Sequence, residues 1–200
     1  KQVPVLINYS VGKKRFEKVP DAGDLDLTDR IEMKRIPYWY PTDRMPDGDE
    51  SRRNDDMGIT HVHQFYTKRN LWILGAIWTR FQNLEDTRMT AICQFALTAA
   101  NRLFSRMSKL GTTYYFKGGG GAVNAGLLGT LYVPSFPAEN NVLRTMELRI
   151  QKLHKCMAQI SEQKSVIIAT NSTDDNSSIL SGSIDYIFTD PPFGGNLMYS

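Results

Sequence analysis

The sequence predicts an α/β protein: part of a three-layer core with a parallel sheet, carrying amino-terminal additions and an inserted β-hairpin arm. Three observations predict it. Two short β-branched runs, 165–170 and 184–189, lie close together near the carboxyl end with a polar connection between them, the pattern of neighbouring parallel strands. Long stretches of helical periodicity precede them. Between those helices, residues 111–137 change in kind: β-rich runs flank four consecutive glycines, Gly118 to Gly121, as in a hairpin with a flexible tip.

Element by element, residues 3–9 read as a strand, paired with 11–16 through a turn near 10–13. Residues 24–34 read as a short helix, and 36–58, rich in Pro, Tyr, Asp and Arg, show little periodicity. Thr67 is an N-cap candidate for a helix over 68–83, with Leu71, Leu74, Ile77, Trp78 and Phe81 on one stripe. Asp86 or Thr87 caps the next helix, through Met107, whose expected stripe is Ile92, Phe95, Ala96, Ala99, Leu103 and Met107. The two are expected to pack as an antiparallel pair. Strands at 112–116 and 129–134 form the hairpin arm. Asn140 or Asn141 caps a helix to about Glu162, and 173–180 is a short helix or loop before the last strand. Four regions result: a mixed amino-terminal part (1–65), a helical pair (66–110), the hairpin insertion (111–137) and the start of a catalytic core (138–200).

Composition narrows the class. Two hundred residues suffice for one sizeable domain or a domain with an appendage. The hydrophobic share of 41% and charged share of 22% are ordinary for a globular protein. No run of eighteen apolar residues exists, so no membrane span is expected. A net charge of +3 is compatible with a nucleic-acid partner without requiring one. Cys93 and Cys156 sit far apart in helical patterns, which suggests buried free thiols and a reducing cytoplasm. His61 and His63 lie on one side of an extended segment with no third ligand in view, so surface or structural roles are favoured over metal. The chain begins at Lys1 without Met and stops shortly after the last strand, as expected of a piece of a longer protein.

The most informative residues follow that strand: Thr189-Asp190-Pro191-Pro192-Phe193-Gly194-Gly195-Asn196. A strand ending in Asp-Pro-Pro-aromatic sets a carboxylate at the carboxyl edge of the sheet, where open α/β folds bind ligands. The prolines have fixed φ and no N–H, so their carbonyls project from a rigid turn. That arrangement suits an exocyclic amine on a nucleobase, whose lone pair is delocalised into the ring. Acceptors at the Asp190 carboxylate and the Pro191 carbonyl would draw the nitrogen toward tetrahedral geometry, and Phe193 would stack on the base. Such a base must be extruded from the duplex or already single-stranded.

Asp190-Pro191-Pro192-Phe193 resembles the catalytic motif of S-adenosylmethionine-dependent amino-methyltransferases, [D/N/S]-P-P-[Y/F/W]. The run 183–193 is similar to the form in bacterial DNA adenine methylases, SxDxxxTDPPY. A looser resemblance to large prokaryotic DNA methylases covers 37–43, 58–63 and 65–71. The resemblance implies a methyltransferase-like, Rossmann-like fold, adenine-N6 methylation of DNA with S-adenosyl-L-methionine as cofactor, and no metal. It implies catalytic roles for Asp190, Pro191, Pro192 and Phe193. Cofactor contacts fall to Thr67, Asn171, Ser172, Thr173 and Asp190. In the related enzymes the place after the first strand is often acidic, whereas here Asn171-Ser172-Thr173 precede Asp174 and Asp175. Nucleic-acid contacts are expected from Lys68, Arg69, Lys117 and Asn196, and restriction or defence-system partners suit the class. Arg44, Arg52 and Arg53, interleaved with Tyr38, Trp39, Tyr40 and Tyr66, read either as a strand-following face or as a solvated surface balanced by neighbouring acids. No Phe-x-Gly-x-Gly loop occurs in the chain; in methylases of permuted order it lies downstream of Asp-Pro-Pro. The Asp-Pro-Pro motif also leaves open a tRNA guanine-N2 methylase, a protein-glutamine methylase, or a nucleic-acid-binding module lacking catalysis.

Overall fold

A computed structural model describes residues 3–111, 117, 123–124, 129–157 and 179–189. The chain is mixed α and β and divides into two compact units, Lys1–Leu153 and His154–Ser200.

The first unit opens with a hairpin, β1 (Ile7–Val11) against β2 (Lys14–Lys18), antiparallel with Val11 opposite Lys14. Its two-residue loop needs a left-handed first residue, and Gly12 supplies it at φ 59°. Tyr9 and Phe16 face each other across the pair and stack at 5.5 Å. Helix α1 (Ala22–Met33) starts at a capping box: Asp21 accepts from the Asp24 N–H and Asp24 accepts from the Asp21 N–H, each at 3.0 Å.

The segment with little periodicity is ordered by polar contacts. It holds a short helix, α2 (Asp49–Arg52), and two 3-10 turns, Asp55–Met57 and Val62–Phe65. Glu50 accepts from the Thr130 hydroxyl at 2.6 Å and from the Leu131 N–H at 3.1 Å. Fully buried Asn54 donates to the Leu131 carbonyl at 3.1 Å. These contacts explain why residues 130–133 form no strand, contrary to expectation. Side chains satisfy the backbone groups that a ladder would use. Val133 is buried instead with Ile59 and Phe65.

Those bonds hold the Glu50 carboxyl below its ordinary 4.5, the Thr130 hydroxyl most and the Leu131 N–H next. A depressed folded-state pKa gives stability that is present above pH 4.5 and lost as pH falls through the lower folded value. Glu50→Gln should therefore flatten the dependence of melting temperature on pH below 4.5. An unchanged slope would remove Glu50 from the acid transition.

Helices α3 (Lys68–Gln82) and α4 (Thr87–Phe104) pack on each other, capped by Thr67 and Asp86. With α5 (Val142–Met157) they enclose a core of Leu74, Ala96, Leu97, Ala100, Phe104, Val142 and Met146. Asn141 caps α5, accepting from the Arg144 N–H at 3.0 Å. The buried face of α4 is Cys93, Ala96, Leu97, Ala100 and Phe104, one residue around from the expected stripe. Phe95 is 63% exposed. Helix α4 is apolar on most sides, so its period does not choose the face; the volume of Leu97 and Phe104 does. The helix stops at Phe104 because its last carbonyls are taken by side chains. Ser105 and Ser108 donate to Arg102, Asn140 to Leu103 and buried Asn70 to Phe104.

Strands β3 (Lys109–Leu110) and β4 (Val123–Asn124) pair antiparallel; the expected strand at 112–116 lies outside the described residues. Both sheets among the described residues are two-stranded and antiparallel. In the second unit, residues 184–189 form no strand, which corrects the expectation of a buried one. Tyr186, Ile187 and Phe188 are 74–81% exposed. A strand exists through its ladder, and the partner expected at 165–170 lies outside the described residues. Cys93 is buried as expected, but Cys156 is an exposed free thiol.

Candidate functional site

The first unit carries an aromatic cleft of about 160 Å³. It exists because an extended run, Trp39-Tyr40-Pro41, lies against α3 where that helix has no side chain. A Cβ on Gly75 would stand 3.0 Å from the Trp39 carbonyl oxygen and 3.0 Å from the Tyr38 Cβ. One wall is this run; α3 gives Leu71, Leu74 and Trp78; α4 gives Leu97, Thr98 and Asn101; Val62 and Tyr66 close the end. Trp39 stands 6.4 Å from Trp78, centroid to centroid, tilted by 38°. Burial raises the pKa of the Tyr66 phenol, against a smaller opposing effect of its hydrogen bond with Asn101, so the hydroxyl stays protonated at neutral pH.

Gly75→Ala should destabilise the protein. Ala gains up to about 1 kcal/mol in helix propensity, but overpacking costs about 1–3 kcal/mol when the neighbours include backbone. A lower melting temperature is expected, and a higher one would show that the 38–41 run shifts freely.

Beside the cleft, Tyr40 meets His63 at 5.8 Å and His63 meets His61 at 5.7 Å. The His61 Nδ1 pairs with the Thr60 hydroxyl at 2.7 Å, while the His63 Nδ1 is buried without a partner. Burial, then the neighbouring His61, lowers the His63 pKa and keeps its ring neutral. Among the described residues no group of three or more His, Cys, Asp or Glu is arranged to hold a metal ion. No helix among them is long and apolar enough to cross a membrane.

Tyr66 leads directly into the start of α3. Thr67 caps that helix, accepting from the Asn70 N–H at 3.2 Å, where the dipole is positive. The two cations that follow are tied within the fold. Lys68 donates to the Glu32 carbonyl on α1. Arg69 forks onto Glu139, with Nε at 3.1 Å, and reaches Thr28 at 3.2 Å. The arginines of the basic–aromatic run are likewise paired: Arg44 with Asp55 at 3.6 Å, Arg52 with Asp55 at 3.1 Å, Arg53 with Glu50 at 2.7 Å. Lys117 is an exposed turn residue. Asn171, Ser172, Thr173, Asp190, Pro191, Pro192, Phe193 and Asn196 lie outside the described residues.

The cleft brings together residues that sequence reasoning kept apart. In the sequence Trp78 reads as part of the core stripe, and Trp39, Tyr40 and Tyr66 as part of either a strand-following face or a solvated surface. Thr98 and Asn101 carried no expectation. The available signal was Gly75 within a helical pattern, downstream of three consecutive aromatics. Compared with known protein families, curated proteins and solved structures, the chain matches no family model, no curated protein and no solved structure.

Proposed function

We propose that the chain is part of an S-adenosylmethionine-dependent DNA methyltransferase acting on adenine N6. The observation that carries this reading is Thr189-Asp190-Pro191-Pro192-Phe193. A carboxylate followed by two prolines and an aromatic supplies two acceptors for an exocyclic amine and a face for its ring. The finer fold in this reading is a three-layer, Rossmann-like parallel sheet holding the motif at its carboxyl edge.

The methyl donor would supply an electrophilic methyl on a sulfonium. The start of α3 at Thr67 fits its carboxylate, since a helix amino terminus favours an anion and Thr67 fixes the cap. Asn171, Ser172 and Thr173 are the proposed contacts from the strand-end side. Asp190 and Pro191 orient the amine and Phe193 stacks on the base. Catalysis then rests on positioning and on acceptors set in advance for the charge of the transition state. Lys68, Arg69, Lys117 and Asn196 remain the proposed nucleic-acid contacts; for Lys68 and Arg69 this requires exchanging the partners described above. The free thiols at Cys93 and Cys156 suit a reducing cytoplasm.

The test is direct. DNA incubated with the protein and isotope-labelled S-adenosylmethionine is digested to nucleosides. Label in N6-methyladenine supports the reading; label in N4-methylcytosine changes the target base. Label in tRNA N2-methylguanine, with none in DNA, overturns it in favour of an RNA enzyme.

A further inference from the structure

The aromatic cleft has a chemistry of its own. Its polar groups are few: Thr98, Asn101 and the Tyr66 hydroxyl, the last two bonded to each other. Arg69 and Arg52 are paired with the carboxylates of Glu139 and Asp55, whereas Lys68 donates to the Glu32 backbone carbonyl and keeps its charge. None of the described lining residues is charged, so a neutral flat ring would find apolar walls there. Trp39 is 64% exposed at the mouth. Trp78 packs against the helical core and stands 6.4 Å from Trp39 at a 38° tilt, so the exposed indole of Trp39 is the one with a face to offer. The Asn101 amide can both donate and accept, and one bond to Tyr66 leaves capacity to read the edge of a heteroaromatic ring.

We propose that this cleft is a stacking subsite for a neutral purine ring, with Trp39 against one face and Asn101 at its edge. The source of the ring rests on the methyltransferase reading: the adenine of the methyl donor or a base of single-stranded DNA. The ring-binding chemistry does not depend on it.

Equilibrium dialysis of the 200-residue chain with labelled adenosine tests the proposal. Saturable binding is expected, at least tenfold weaker for uridine. Trp39→Ala should weaken adenosine by about tenfold or more, as for loss of one base–aromatic stack, with an unchanged melting temperature because Trp39 is exposed. Asn101→Ala should reduce the preference for adenosine over uridine. Displacement by S-adenosylhomocysteine assigns the subsite to the cofactor, and displacement by oligodeoxyadenylate assigns it to DNA. No saturable adenosine binding, or binding indifferent to Trp39→Ala, overturns the proposal. Adenosine binding, with label from the methyl donor appearing in tRNA N2-methylguanine and none in DNA, overturns the DNA-methyltransferase reading alone. Methylation that survives Trp39→Ala unchanged, with no adenosine binding, overturns the subsite alone.

Discussion

Asp190→Ala should lower the single-turnover rate of methyl transfer by about a hundredfold or more, the scale for losing one preorganised polar contact in a transition state. The amine of an adenine is a weak nucleophile because its lone pair belongs to the ring. Only acceptors on its N–H bonds can return that pair to nitrogen, and Asp190 is the charged acceptor of the proposed two. Asp190→Asn retains an acceptor oxygen but not the charge, so an intermediate rate is expected. The assay uses the longest active form of the enzyme, saturating S-adenosylmethionine and a DNA duplex with a mismatched target, which reduces the cost of extrusion. A catalytic role predicts that the melting temperature changes little while the rate falls, so both are measured on the same variant. Near-normal rates for Asp190→Ala would remove the carboxylate from the chemistry.

The largest expected effect on stability is at Phe104. Its ring is 1% exposed and sits where α3, α4 and α5 meet. Truncating a buried Phe to Ala typically costs about 3–5 kcal/mol, from lost transfer energy and from the cavity left behind. Two features set this site toward the upper part of that range. The neighbours Ala96 and Ala100 are small and cannot swing in to fill the void. The end of α4 is also pinned, because the Phe104 carbonyl accepts from buried Asn70 at 3.0 Å. Denaturant unfolding monitored by far-UV circular dichroism should show the midpoint falling with little change in slope. A loss below about 1 kcal/mol would mean the three helices close over the gap, and the pinned-end argument would fail.

Much of the first unit was legible because its signals are local. The turn near 10–13 and the cap candidates Thr67, Asp86 and Asn141 each act within a few residues, and the elements they bound stand near their expected places; the capping box at Asp21, which starts α1 at Ala22 rather than at 24, was not among the expectations. The failures share one cause: choices made by distant partners. Residues 130–133 look like a strand until Glu50 and Asn54 take their backbone groups. Which face of α4 turns inward is decided by α3 and α5, not by a period that α4 satisfies on several sides. Residues 184–189 have a strand's composition but, where described, no ladder. The Asp-Pro-Pro-Phe motif lies outside the described residues, and its reading rests on the residue types that the proposed reaction would require. The aromatic cleft was not legible, since it is assembled from four stretches of chain and announced only by one glycine.

The contacts of Glu50 and Asn54 with Thr130 and Leu131 join residues 77 to 81 positions apart. Closing so large a loop is entropically late, and the intervening α3–α4 pair can assemble from near neighbours first. Such a fastening is expected to be absent when the folding barrier is crossed and to form only afterwards. It therefore acts as a brake on opening rather than a guide to assembly. Weakening it, as in Asn54→Ala, should shift the unfolding limb of a chevron upward while leaving the refolding limb nearly in place. Equal movement of both limbs would instead make it part of the nucleus. The lifetime of the folded state, more than the speed of reaching it, is thus written into two polar side chains in a segment that carried little periodicity.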